Sequence, residues 1–435
     1  MLTERKVQRK VIIVVLDGMA DRPATGLGGK TPLEAARTPE MDKLAKNGSC
    51  GQLDVLGGVA PESDSAVLSL LGYDPHKYYT GRGPLEAAGL GISMKPGMLA
   101  LRCNFATAKT GRTGIYPPEL ADRRVARSLT SAEAAEIAAV INKKVKLKGA
   151  KFIFKASVAH RAVLILKAKK PLSARITNTD PAYAAGKKGI PEALAKFKME
   201  VREAEPLEKT KAAALSAGLV NEFTRQAFEA LDTHPINEGR RRKGMLPANV
   251  ILSRDAGNRL PPLYSISKKY GRKFAILADM PMEIGIGRLS GMKVIRLPFP
   301  TFGKKDHKPR AEKTVSALKR SDALYIHIKG PDLYGHEGDY EGKRKCIEEI
   351  DQYFFTPLLE KIDLKRTIIA VTADHATPCS MKGHSGDAVP FLLSGGSVAA
   401  DKADAFSERR CAEGRFGKIK ATKLMPLLMR LVRKE

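Results

Sequence analysis

A chain of 435 residues, 43% hydrophobic and 28% charged, can bury a large core and is too apolar to be disordered. Five dispersed cysteines (Cys50, Cys103, Cys346, Cys379, Cys411) form no CxxC pair, which argues against a disulfide framework or a thiolate zinc site and for reduced thiols in a cytoplasm. The formal net charge of +28 favours anions, yet Lys and Arg are spread along the chain with no interleaved aromatics, so a basic solvated surface is preferred over nucleic-acid binding.

The N-terminal MLTERKVQRK followed by VIIVVL has the outline of a signal peptide, but the apolar run is too short and Asp17 and Gly18 end it. Val11–Leu16 reads instead as a first buried strand. No apolar run is long enough to span a bilayer, so no membrane association is expected. Next comes APESDSAVLSLLGYDP, with Ser63 and Ser65. Gly81 and Gly83 in TGRGP lack the spacing of a phosphate-binding loop and read as a flexible exit from the first domain.

The middle of the chain changes character. Glu119–Val140 is Ala- and charge-rich and partly helical, Lys151–Ala156 and Ala162–Lys167 read as paired strands, and Leu207–Leu231 as a long amphipathic helix. Arg240, Arg241 and Arg242 read as a mostly solvated basic cluster. Alternating strands and helices then return: a strand at Ala323–Lys329, a helix at Glu341–Leu359 and a strand at Thr367–Val371. This pattern predicts an α/β fold, a mostly parallel sheet with helices on both faces, split by an inserted α+β domain. The division runs 1–76 for the first part of the core, 77–264 for the insert and 265–435 for the rest of the core.

The strands are followed by polar residues. Asp17 follows the first, Asp332 and His336 follow YIHIKG, and Asp374 and His375 follow the last, with His384 nine positions on. In a parallel sheet these ends share one edge, where sites form. Taken alone, Asp374 could cap a helix beside two surface histidines. Taken together with Ser63, the set of carboxylates and imidazoles without thiolate suits two divalent ions: Mn²⁺, Zn²⁺, Co²⁺ or Mg²⁺. Such ions can activate a serine and clamp a transferring phosphoryl group.

The ordered motifs VVLDGMADRP, PESDSAVLSLLGYDP, RCNFAT, TNTDPAY, LPANVILSRDAG, HIKGPDLYGHEGD and TADHATPCSMKGHS resemble the cofactor-independent phosphoglycerate mutases, in their shorter archaeal-type branch, of the alkaline phosphatase superfamily. The resemblance spans nearly the whole chain. It implies an alkaline-phosphatase-like, metal-binding core with an inserted substrate-handling domain. It implies interconversion of 3-phosphoglycerate and 2-phosphoglycerate, in glycolysis and gluconeogenesis, through a phosphoserine and without bisphosphoglycerate. Two divalent ions are implied, manganese foremost. Carried over by position, Asp332, His336 and His384 would hold one ion, and Asp17, Asp374, His375 and the nucleophile the other. The nucleophile would be Ser63, with Ser65 its local rival, and Glu62 stands where the family often has Gly.

The substrate would be a small phosphorylated hydroxy acid, whose phosphate and carboxylate suit arginine forks. Candidates are Arg102, Asn104, Asp180, His234, Asn237, Arg254, Asp255 and Lys329. Arg102 and Arg254 could equally form structural ion pairs, and Asp21 and Asp339 could orient histidines or form turns. The alternatives on the same core are another phosphomonoesterase or phosphomutase. More remote is a basic nucleic-acid-binding protein built on a retired enzyme.

Overall fold

The computed structural model describes residues 9–109, 118–184, 190–194 and 196–433. They group into two compact units, one comprising Met1–Tyr78, Leu263–Asp279 and Gly287–Glu435, the other Tyr79–Pro262 and Met280–Ile286. In chain order the strands are β1 (Lys10–Leu16) and β2 (Gly48–Asp54) in the first unit. The second unit holds β3 (Leu99–Ala108), β4 (Leu120–Asp122), β5 (Ala150–Ala156), β6 (Arg161–Ala168), β7 (Tyr183–Ala184), β8 (Glu192–Ala193) and β9 (Val250–Gly257). The first unit resumes with β10 (Phe274–Ala278), β11 (Lys293–Arg296), β12 (Ala323–Ile328), β13 (Thr367–Thr372), β14 (Val389–Ser394) and β15 (Lys418–Lys420).

In the first unit eight strands form one sheet, ordered β11-β10-β12-β1-β13-β14-β2-β15. Its central strands are continuous apolar runs, not alternating ones. β12, β13 and β14 are buried at every residue and β1 from Val11 onward, so helices and loops cover both faces. β1 pairs in parallel with β12 (Leu16 opposite Ile328) and with β13 (Val15 opposite Thr372), so the three strands end level. Among the described strands β14 runs against the rest, between β13 and β2. The segment from 373 to 388 therefore starts and ends at the same edge at which β1 and β12 terminate. β2 runs parallel to β13 through β14, so the chain leaves it at that edge too and enters helix Ser63–Leu70.

In the second unit β3 is flanked by antiparallel β6 and β9, with β5 outside β6. Alternation gives β3 two faces. Leu99, Leu101, Cys103 and Phe105 join a core with Ile137 of helix Ser131–Lys144 and Phe223 of helix Lys211–Leu231. On the other face Ala100, Val163 and Ile165 pack with Ala87 and Met94. Arg102 and Asn104 continue that face, opposite Arg254 of β9 and Arg161 of β6 respectively.

The predicted paired strands are β5 and β6, and the long helix begins at Lys211, where the Thr210 side chain accepts from Ala213 N at 3.1 Å. No described helix is long and apolar enough to cross a membrane. Three readings need correction. Residues 280–286, assigned from sequence to the core, group with the second unit. Arg240 is not solvated: it is buried, bonded to Glu133, Ser128 and the Leu246 carbonyl. Gly81 and Gly83 are not a flexible exit, for Gly81 takes φ +105° and a Cβ on Gly83 would sit 2.2 Å from the Ala100 carbonyl oxygen. They permit close backbone contact between the helix Arg82–Gly89 and the sheet. Gly83→Ala is expected to cost about 1–3 kcal/mol through overpacking, read as a lower urea midpoint at unchanged slope.

Candidate active site

The level ends of β1, β12 and β13 deliver the first carboxylates. Asp17 follows β1, and its backbone carbonyl accepts from Asp332 N at 2.9 Å. Asp332 opens helix Pro331–Glu337, which places His336 one turn on and on the same side. Asp374 and His375 follow β13, and the segment that returns to β14 brings His384 alongside, its ring stacked on that of His375 at 3.8 Å. Two groups result: Asp332, His336 and His384, half-buried, and Asp17, Asp374 and His375, buried. Within each group the ligand atoms lie within 4.8 Å of one another.

Ser63 is the first residue of its helix, and its Oγ lies 3.4 Å from His375 Nε2. The Ser65 hydroxyl is turned away to donate to the Glu62 carbonyl at 2.9 Å. Lys329 Nζ lies 3.2 Å from Asp17 Oδ2. Of the residues that sequence placed here, Asp17, Ser63, Asp332, His336, Asp374, His375, His384 and Lys329 are all in the first unit and linked by these contacts. The sequence reading missed His327, buried on β12 with Nε2 3.4 Å from Asp374 Oδ2 and 3.8 Å from Asp17 Oδ1. A histidine inside an otherwise apolar strand was the signal.

Each histidine of the two groups has Nδ1 engaged: His336 with the Lys382 carbonyl at 3.0 Å, His384 with the Pro61 carbonyl at 2.8 Å, and His375 with Thr377 Oγ1 at 3.0 Å. A carbonyl can only accept, so Nδ1 carries the proton in His336 and His384, and Nε2 faces the carboxylates. His384 Nε2 is 3.3 Å from Asp332 Oδ1, and His336 Nε2 is 3.6 Å from Asp332 Oδ2. His375 Nε2 is 3.4 Å from Asp17 Oδ1 and 3.3 Å from Asp374 Oδ2. Those two carboxylate oxygens are buried and accept no well-formed hydrogen bond. Oxygen and nitrogen ligand atoms thus converge, an arrangement suited to a hard or borderline divalent cation.

The electrostatics agree. Burial pushes Asp332 up, but the charges on His336 and His384 outweigh it and hold the carboxyl well below its ordinary range. Burial acts likewise on Asp374, and the charges on His375 and His327 bring it far down. Burial depresses His384, yet its hydrogen bond to Asp332 and the charge of Glu62 push it up to about 10. A proton on His384 thus supplies positive charge to Asp332, and a bound cation would replace it.

Behind the groups lies a fully buried ion pair. Lys343 Nζ contacts Asp21 Oδ2 at 2.8 Å and donates to the Ala20 and Thr377 carbonyls at 3.2 and 2.9 Å. Asp21 also accepts from Cys379 N. It thus ties the segment after β1 to the segment after β13, and it contacts no histidine there; Asp339 caps its helix by accepting from Gly342 N at 2.8 Å.

The polar sheet face of the second unit is the other concentration of charge. Arg82 Nε and Arg102 Nη1 both donate to Glu86 Oε1 at 3.0 Å. Burial, then the charge of Arg82, pushes Arg102 down to about 9, and burial pushes Arg161 down to about 10 despite Glu86. Burial, then the charge of Arg161, pushes His160 down to about 2. Arg102 Nε, Arg161 Nε and Asn104 Oδ1 are buried without a hydrogen-bond partner among the described residues. Arg254 Nη1 meets Asp255 Oδ2 at 2.7 Å, and its guanidinium carbon lies 3.6 Å from the Tyr183 ring centre. Asp180 is held bidentately by Arg123 at 2.8 Å.

The structure therefore groups Arg102, Asn104, Arg254 and Asp255, and adds Arg82, Glu86, Arg123 and Arg161, which the sequence reading missed. Arg102 and Arg254 do form the ion pairs offered as an alternative. His234 and Asn237 have local hydrogen-bond partners. His234 caps its helix, its Nδ1 accepting from Ile236 N at 3.3 Å. Asn237 spends its amide on the backbone of Leu231 and Ala248.

A family model described as 2,3-bisphosphoglycerate-independent phosphoglycerate mutase matches residues 45–237. An Aeropyrum pernix protein with that name is 43% identical over 420 residues, covering 94% of this chain and 96% of its own. The chain belongs to the 2,3-bisphosphoglycerate-independent phosphoglycerate mutase family. Solved structures agree. A Pyrococcus horikoshii protein superposes with TM-score 0.76 at 31% identity, covering 99% of both chains. The cofactor-independent phosphoglycerate mutase of Thermoplasma acidophilum gives 0.61 at 31% identity, covering 98% of this chain and 100% of its own.

For this member of the family, Lys343→Met is expected to leave Asp21 buried and uncompensated. The cost should be about 3–5 kcal/mol, measured by equilibrium urea unfolding, whereas an exposed lysine such as Lys365 should be replaceable without effect.

Proposed function

We propose that this chain interconverts 3-phosphoglycerate and 2-phosphoglycerate without bisphosphoglycerate, by way of a phosphoserine on Ser63. The observation that carries the reading is the Ser63 hydroxyl standing 3.4 Å from His375 Nε2, at the edge of two carboxylate–imidazole groups. Asp17, Ser63, Asp374 and His375 would hold one divalent ion and Asp332, His336 and His384 another. Oxygen and nitrogen donors without thiolate admit Mn²⁺, Zn²⁺, Co²⁺ or Mg²⁺, and manganese is the metal proposed. When bound, such ions supply Lewis acidity, lowering the pKa of a hydroxyl and neutralising phosphoryl oxygens.

The protein's part is positioning and charge. Ser63 Oγ attacks phosphorus, its bond to phosphorus forms, and the bond from phosphorus to the substrate oxygen breaks. The proton lost by the serine is balanced by the one the released glycerate hydroxyl gains. Ser63 sits at a helix N-terminus, whose dipole favours the dianionic phosphoserine. Lys329 would add positive charge for a phosphoryl oxygen. The other hydroxyl of the glycerate would then take the phosphoryl group back from Ser63, and Arg102 and Arg254, side by side on β3 and β9, are of a type suited to a carboxylate. The same enzyme would serve glycolysis and gluconeogenesis, the reaction being reversible, and the free, buried cysteines suit a reducing cytoplasm.

The test is ³¹P NMR of purified protein with Mn²⁺ and 3-phosphoglycerate. Growth of 2-phosphoglycerate, abolished by a chelator, is the expected result. Ser63→Ala should lose turnover by several orders of magnitude and trap no phosphoenzyme. Wild-type turnover in that variant would overturn the nucleophile, and release of inorganic phosphate alone would make the protein a phosphatase.

A further inference from the structure

We infer that Thr377 is a positioning residue that couples the two metal-binding groups through its single hydroxyl. The inference rests on reading those groups as divalent-ion sites. Thr377 is fully buried. Its Oγ1 donates to Asp332 Oδ1 at 2.8 Å and lies 3.0 Å from His375 Nδ1. Asp332 belongs to one group and His375 to the other.

A hydroxyl has one proton to donate. With that proton on Asp332, Thr377 Oγ1 can only accept from His375, so His375 must carry its proton on Nδ1. This leaves the Nε2 lone pair directed at Asp17, Asp374 and Ser63. The same hydrogen bond fixes the Asp332 carboxylate by its Oδ1, the atom 3.3 Å from His384 Nε2. One hydroxyl therefore sets the tautomer of a ligand in one group and the orientation of a ligand in the other.

The hydroxyl is itself immobilised. Thr377 N donates to the Ala20 carbonyl at 3.0 Å, and the Thr377 carbonyl accepts from buried Lys343 at 2.9 Å. Space for Oγ1 exists only because residue 18 is glycine: a Cβ there would come within 2.5 Å of it. The glycine N–H in turn donates to Asp374 Oδ1 at 3.0 Å. The position of Thr377 is thus determined from three sides, with no freedom to serve one group at the expense of the other.

The experiment compares Thr377→Val, which keeps the shape and removes the hydroxyl, with Thr377→Ser, which keeps the hydroxyl. Mn²⁺ binding to metal-stripped protein is followed by calorimetry, with bound metal counted after dialysis. The wild type should bind two ions. Thr377→Val should weaken both sites by about 10–100-fold, and Thr377→Ser should stay close to wild type. Wild-type affinity at either site in Thr377→Val, or equal losses in the valine and serine variants, would overturn the inference. If the valine variant does not fold, Thr377→Ala against Thr377→Ser gives the same comparison. A wild-type protein that binds no divalent ion would overturn the metal reading instead, a result visible before any variant is made.

Discussion

Asp17, Asp332 and Asp374 repel one another unless positive charge lies among them. Each ends or follows a strand of the same sheet, and the register that buries β1 between β12 and β13 forces them together. Placing ionised carboxylates together at a buried edge is costly, and the surroundings are arranged to offset it. Three imidazoles present Nε2 inward, Lys329 meets Asp17, and His327 approaches from the strand beneath. The fully buried Lys343–Asp21 pair behind them leaves no net charge of its own there.

The second unit poses the opposite problem. On one sheet face, Arg82 and Arg102 share a single carboxylate oxygen of Glu86, with Arg161 close enough to be perturbed by the same group. Positive charge is left in excess, and Arg102 Nε, Arg161 Nε and Asn104 Oδ1 have no hydrogen-bond partner among the described residues. Helices Ser131–Lys144 and Lys211–Leu231 pack on the reverse side of the sheet. The two units thus hold complementary deficits, one of positive charge and one of negative, each suited to a ligand of the missing sign.

What could be read from the sequence follows from distance along the chain. β1, β12 and β13 were legible because they are short β-branched runs, and their ligands stand a few residues past each strand end. His384 was legible only from its place in the ordered motifs, nine positions after His375. The arginine face was only half legible. Arg161 and Asn104 become neighbours through strand register, which no local pattern announces. Glu86 looks like any helical glutamate until Arg82 and Arg102 converge on it. Lys343, in EGKRKC, has the appearance of a solvated charge run yet is completely buried. His234 and Asn237 show that the side chains that bind ligands are also those that cap helices and satisfy loops.

The sheet that creates the site also dictates when it can exist. β1 pairs with β12 and β13, so Val11 must wait for Ala323 and Ile368 to be synthesised. The second unit, by contrast, has nearly all its residues in one contiguous stretch and can fold while the ribosome is still working. During that interval VIIVVL is an unpaired, highly apolar segment. Parallel pairing of such sequence separation is slow and exposes the chain to aggregation. A nascent chain lacking its last hundred residues would have neither β13 nor His384, and so could not assemble the two carboxylate–imidazole groups before the sheet is complete.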